Sequence, residues 1–244
     1  MSDALVPAPP LTMSTRSFLT AEWRHLCLFT YAVAPERLAR LLPPGLALDT
    51  VDGEAFVSLV AFDFLRTRVL GVPWPGYRDF PEINLRFYVR EGERRGVAFV
   101  RELVPKRLVA WLARLLYNEP YAYAPMRSEV RELGGSLEVE HTLRAGGRTQ
   151  RLWVRARAQA QLPAEDSREH FFKEHSWGYG RSRRGELNRY EVRHPVWEIF
   201  PVERYELDWD FGATYGAPWG ELTSARPSSV VLARGSAVRV SPLG

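Results

Sequence analysis

Glu82, Asn84 and Arg86 stand at alternate positions of the run PEINLRFYV, with Ile83, Leu85 and Phe87 between them. Successive side chains of a strand point to opposite faces, so an acid, an amide and a guanidinium share one side and three apolar residues the other. Such a row can line a cavity that holds an anionic or polar ligand. It can equally be an ordinary solvated sheet face, and the alternation alone favours that plainer reading.

The basic residues hold a second clue. Of 33, only two are lysines, Lys106 and Lys173. Arginine keeps its proton, whereas a lysine that loses one becomes a nucleophile able to form an imine with a carbonyl. Lys106 follows Pro105 at the start of a helical pattern, where the positive end of the helix dipole disfavours an ammonium. Compositional drift with two surviving lysines, Lys106 lying exposed at a helix start, accounts for the same pattern.

Tyr121, at the end of the stretch from Phe80 that holds Glu82 and Lys106, and His175, Trp177 and Tyr179 in HSWGYG are further candidates to line a pocket. His170 and His175 are five apart and point to different sides of a helix, a poor zinc pair. Gly178, Gly180 and Gly185 lack the spacing of a dinucleotide loop, and neither a Walker run nor a Gly-x-Ser-x-Gly elbow occurs. Neither a metal nor a cofactor is expected.

The elements that must position these residues are mostly strands. Alternating or β-branched runs are expected at Arg24–Val33, Ala55–Leu65, Glu82–Arg90, Val97–Leu103, Ser136–Arg144, Gln150–Gln159, Asn188–His194, Trp197–Tyr205 and Ser229–Ala233. Short turns at Glu91–Gly96, Gly134–Gly135 and Gly146–Gly147 argue for antiparallel neighbours. Helices are expected at Pro35–Leu42, from Pro105 to about Tyr117, and at Ala164–Glu174. The apolar stripe of the second (Leu108, Val109, Trp111, Leu112, Leu115, Leu116) should pack on the sheet. The class is α+β with the sheet dominant.

With 244 residues, 45% of them hydrophobic, the chain is long enough for one sizeable core. Residues 1–15 read as a disordered N-terminus and 16–244 as a single domain. The lone Cys27 excludes an internal disulfide framework and suits a reducing compartment. No secretory pattern opens the chain and no apolar run is long enough for a bilayer, so the expected location is cytoplasmic, without a membrane partner. The net charge of +4 invites nucleic acid, but the arginines interleave with acids, as in Glu91–Arg95 and Arg181–Arg189. That spacing fits a mixed-charge surface rather than a phosphate track.

The runs WRHLCLFTYAVAPERLARLLPPGL, FVSLVAFDF, RVLGVPWP, PEINLRFYV, RELVPKR, LLYNEPY and HSWGYG together resemble a bacterial family of conserved proteins of unknown function within the acetoacetate decarboxylase-like superfamily. The resemblance implies a barrel-like, mainly antiparallel sheet enclosing a pocket. It matches Lys106 in RELVPKRL to the decarboxylase's imine-forming lysine, Glu82 to a glutamate that orients groups or moves protons, and Arg24 to an arginine that engages a substrate carboxylate. Here the run before Pro105-Lys106 is two residues shorter, Arg107 replaces a second lysine, and a helix follows instead of an extended segment. Three readings follow. One is a Schiff-base lyase acting on a small carbonyl acid. Another is a small-ligand binder using Arg24, Glu82, Asn84 and Arg86. The third is an oligomeric scaffold whose Trp74, Trp209 and Trp219 make a homo-oligomer contact.

Overall fold

The structure, a computed structural model, describes residues 17–244, and the expected disordered stretch lies outside them. The first half runs β1 (Leu19–Val33), α1 (Pro35–Ala39), β2 (Ala47–Leu48), β3 (Ala55–Val69), β4 (Phe80–Glu91), β5 (Arg94–Val104), α2 (Arg107–Leu116), β6 (Tyr121–Tyr123) and β7 (Met126–Leu133). There follow β8 (Ser136–Ala145), β9 (Arg148–Arg157), α3 (Arg168–Lys173), β10 (Trp177–Arg181), β11 (Leu187–Arg193) and β12 (Ile199–Phe200). The last elements are β13 (Val202–Asp208), α4 (Phe211–Tyr215), a 3-10 turn at Ala217–Thr223, and β14 (Ser229–Val240).

The strands form two sheets. The larger follows β2-β4-β3-β1-β14-β11-β10-β5-β6, and because β4 also pairs with β5, seven of its strands close into a ring of pairings. Most of these pairs are antiparallel, as the short turns imply, but β5 runs parallel to both β10 and β6, so the sheet is mixed. The smaller sheet, β13-β9-β8-β7, is antiparallel.

Period-two alternation explains why one strand serves two environments. Ile83, Leu85, Phe87 and Val89 of β4 join Val139, Leu143, Leu152 and Val154 of the smaller sheet in one apolar core. On the opposite face, Phe56, Val60, Phe62, Tyr88, Phe172 and Trp197 belong to a second cluster inside the ring. Register shifts interrupt the alternation, two of them beside the residues of interest. In β1 the register shifts between Arg24 and Cys27, with His25 at φ 55°, and in β5 it shifts at Val100, opposite Leu85 and Arg86.

Helix α2 departs from expectation. Val109, Leu112, Ala113 and Leu116 line the cavity, although Leu112 and Leu116 also remain exposed. Leu108, Trp111 and Leu115 are exposed, and Ala110 is the buried residue of the helix. An apolar surface all round ten residues is wider than one sheet contact can cover. Helix α3 is shorter than expected, because the Ser167 side chain accepts the His170 amide and starts the helix there, after Glu165-Asp166. Of the tryptophans expected at a subunit contact, Trp74 is exposed, but Trp209 and Trp219 are buried in the core between the sheets. The mixed-charge surface is present, with Arg94 and Arg189 both paired to Glu91.

Candidate functional site

A cavity of about 210 Å³ lies within the ring, and its lining runs from Phe18 to Val240. Its walls are apolar, with Trp23, Phe62, Phe64, Phe80, Phe99 and Trp197 prominent. Its polar groups gather at two ends, linked by the β4 row.

At the first end Glu82, Glu102 and Glu119 converge, all buried. Asn84 Nδ2 donates to Glu82 Oε1 at 3.0 Å and the Tyr121 hydroxyl donates to Oε2 at 3.0 Å. Burial pushes Glu82 up to about 7, against the opposing pull of those two donors and of Arg86. Glu119 is pushed to about 8 by burial and by the charge of Glu82. Burial also holds Glu102 well above the carboxylate range, and the charges of Glu119 and Glu82 add to the shift. Tyr190 packs beside them, its phenol raised by burial and by the same three carboxylates.

Two glycines make room for this end. A Cβ on Gly178 would meet Tyr190 Cζ at 2.2 Å, and one on Gly180 would meet Glu119 Oε1 at 3.0 Å. The alternation G-x-G in HSWGYG therefore leaves two empty places on the inner face of β10, and Tyr190 and Glu119 occupy them.

The second end is cationic. Arg86 is buried, its Nη2 donating to the Phe172 carbonyl at 3.0 Å while Nε has no partner. Lys173, the next residue, lines the cavity with a fully buried side chain, its Nζ paired to Glu174. His194 stacks on Trp197 at 4.0 Å between ring centroids. Burial lowers the His194 pKa, and among the charges it feels are Glu174, Lys173 and Arg86. His175 also reaches the cavity, with Nε2 2.9 Å from Asp49 Oδ2, which in turn accepts from Arg95 Nε at 2.7 Å. Burial keeps His175 below the ordinary imidazole range despite that carboxylate.

The cavity thus brings together Glu82, Asn84, Arg86, Tyr121, His175 and Trp177 of the residues singled out by sequence. Tyr179 is buried in the core between the sheets instead. Arg24 and Lys106 lie outside the lining. Trp23 faces in, so Arg24, its neighbour in the strand, faces out and pairs with Glu22 at 2.9 Å. Lys106 caps α2 after β5 has ended at Val104, and its Nζ lies 5.8 Å from the Tyr77 ring centroid. Glu102, Glu119, Tyr190 and His194 are functional candidates that the sequence does not single out, and Lys173, one of its two lysines, lines the cavity where Lys106 was the expected site residue. Among the described residues no group of His, Cys, Asp and Glu forms a metal site. No helix among them is long and apolar enough to cross a membrane.

Residues 20–237 match the model of the DUF2071 family, described as an uncharacterized conserved protein. The chain belongs to this family. A curated relative, the uncharacterized protein YqjF of Bacillus subtilis, is 38% identical over 109 residues, which are 44% of this chain and 45% of the relative. The aligned segment therefore spans less than half of either protein.

Solved structures share the architecture at low identity. An acetoacetate decarboxylase-like enzyme from Sphingomonas wittichii superposes with a TM-score of 0.64 at 15% identity, covering 99% of this chain and 98% of that one. Acetoacetate decarboxylase from Legionella pneumophila gives 0.61 at 15%, covering 98% and 91%. The enduracididine biosynthesis enzyme MppR, complexed with pyruvate, gives 0.63 at 14%, covering 96% and 92%. The DUF2071 chain thus has an acetoacetate decarboxylase-like fold, and at these identities the likeness extends to the fold alone.

Proposed function

We propose that the cavity binds a small carbonyl acid, with its carboxylate at Arg86 and its carbonyl carbon at Lys173, which forms an imine with it. The observation that carries this reading is the burial of Lys173: of two lysines in the chain, this one has its whole side chain inside the cavity wall, next to an arginine with an unpartnered Nε. A buried guanidinium with a free donor is suited to a planar carboxylate. Glu174 is placed to take the proton that Nζ must lose. The neutral amine then adds to the carbonyl carbon, and the carbinolamine loses its oxygen as water, leaving a C=N bond to Nζ. His194, which burial holds below the ordinary imidazole range and which feels the charge of Lys173, is available for the accompanying proton transfers. The fold likeness to decarboxylases, and to an enzyme held in complex with pyruvate, supports a carbonyl-acid ligand.

The test is borohydride reduction in the presence of pyruvate or acetoacetate, read by peptide mass. The expected adduct maps to Lys173, survives Lys106→Arg and disappears in Lys173→Arg. An adduct confined to Lys106, or no adduct while calorimetry shows the acid bound, overturns imine chemistry at Lys173. In the latter case the cavity is a non-covalent binding site.

A further inference from the structure

The carboxyl end of the cavity is unsatisfied in a specific way. Glu102 Oε2, Glu119 Oε1 and Asn84 Oδ1 are buried acceptors that have no hydrogen-bond partner among the described residues. All three residues line the same cavity and are at least nine-tenths buried. They come from different elements: Asn84 and Glu102 face each other across the β4–β5 pair, and Glu119 precedes β6 and lies over Gly180. The one phenol bonded into the group, Tyr121, already donates to Glu82. None of the three carboxylates is ion-paired among the described residues, and Arg86, four residues along β4 from Glu82, turns its Nη2 to the Phe172 carbonyl instead. Buried acceptors without donors are rare in folded proteins, and several converging on one cavity call for a group from outside the chain that brings donors.

We infer that this end receives a protonated nitrogen group of the ligand: an ammonium, amidinium or guanidinium. A cation supplies several N–H donors to acceptors that converge from three directions, and its charge answers carboxylates that form no direct ion pair among the described residues. Burial has already pushed Glu82 to about 7 and Glu119 to about 8, so near neutral pH the empty site holds protons that an incoming cation displaces. Tyr121 and Tyr190 face the same group and stay neutral in this range, since both phenols are raised by burial and by the carboxylates. The inference deepens the carbonyl-acid reading, on which it rests for the identity of the cavity, by specifying the opposite end of the ligand. The substrate class is then a small amphoteric molecule, with a carboxylate toward Arg86 and a basic nitrogen toward Glu102 and Glu119, separated by an apolar stem.

Calorimetry with n-butylammonium chloride, n-butanol and sodium butanoate separates the two ends. At pH 8 butylammonium should bind at least about tenfold tighter than butanol. It should release protons, seen as a heat that varies with the ionisation enthalpy of the buffer. Glu119→Gln should abolish that preference while butanoate binding persists, and this persistence shows that the variant is folded. Butylammonium binding no tighter than butanol, or equally tight in Glu119→Gln, overturns the inference. Butanoate bound without butylammonium overturns it alone and leaves the carbonyl-acid reading standing. Butylammonium bound without butanoate overturns only the latter. Binding of neither ion overturns both.

Discussion

The buried carboxyl groups give the protein a pH-dependent stability whose size follows from their positions. Consider Glu119→Gln, which keeps the shape of the side chain and removes its charge. Burial raises the folded-state pKa of Glu119 from 4.5 to about 8. Below 4.5 the carboxyl is protonated in both folded and unfolded chains and stability is at its full value. Between the two pKa values the unfolded chain releases a proton that the folded chain retains, so stability falls as pH rises. Above 8 the curve flattens. At about 1.4 kcal/mol per pH unit, this one group withdraws on the order of 4–5 kcal/mol across the window. The Gln variant should therefore match the wild type within about 1 kcal/mol at pH 5 and exceed it by roughly 4 kcal/mol at pH 8.5. For a chain of this length that is on the order of 10 °C in Tm. Urea unfolding of both proteins at the two pH values measures it, with equal m-values as the check that the unfolded states are alike. Wild-type and variant stabilities that run parallel from pH 5 to 8.5 would refute the argument, since Glu119 would then be hydrated and ionised like a surface carboxylate.

Two further outcomes follow from the packing. Gly178→Ala places a methyl where the Tyr190 ring now lies, with Cζ only 2.2 Å away, so the ring must leave the cavity. Overpacking of this kind should cost about 1–3 kcal/mol in urea unfolding and weaken butanoate and butylammonium binding together. Asp49→Asn removes the carboxylate shared by His175 and Arg95. It should cost about 1–3 kcal/mol at pH 7, read from the urea midpoint, while an effect near zero would mean that this carboxylate does not hold His175.

The sequence is most informative where period-two alternation runs unbroken. The inward row of Glu82, Asn84 and Arg86 and its apolar counterpart are where the pattern places them. The alternation fails at bulges, because one extra residue exchanges the faces of all that follows. In β5, Val97 and Phe99 face the cavity, so strict alternation sends Arg101 inward and Glu102 outward. The bulge at Val100 reverses this, putting Glu102 inside and Arg101 out toward the Thr214 carbonyl. Nothing in FVRELVP marks that extra residue. In β1 alternation from the inward Trp23 already sends Arg24 outward, and the bulge after it brings Leu26 inward again. The choice between the two lysines fell on Lys106 for another reason. Lys173 ends a six-residue helix whose last three side chains are all buried, so no polar face identified it as a site residue. The glycines of HSWGYG were visible, but the space they leave is defined only by Tyr190 and Glu119, which arrive from other segments.

The seam between β1 and β14 has a consequence for biogenesis. Leu19 pairs with Val240 and Thr30 with Ser229, so the ring is sealed by contacts that span nearly the whole chain. During synthesis β1, with Leu26, Leu28 and Phe29, must wait with one edge bare until β14 leaves the ribosome. Such distant pairing makes assembly slow and leaves an aggregation-prone edge in the interim. The inward-facing end of β14 completes the cavity wall at Val240, so the binding chamber cannot exist before β14 has joined β1.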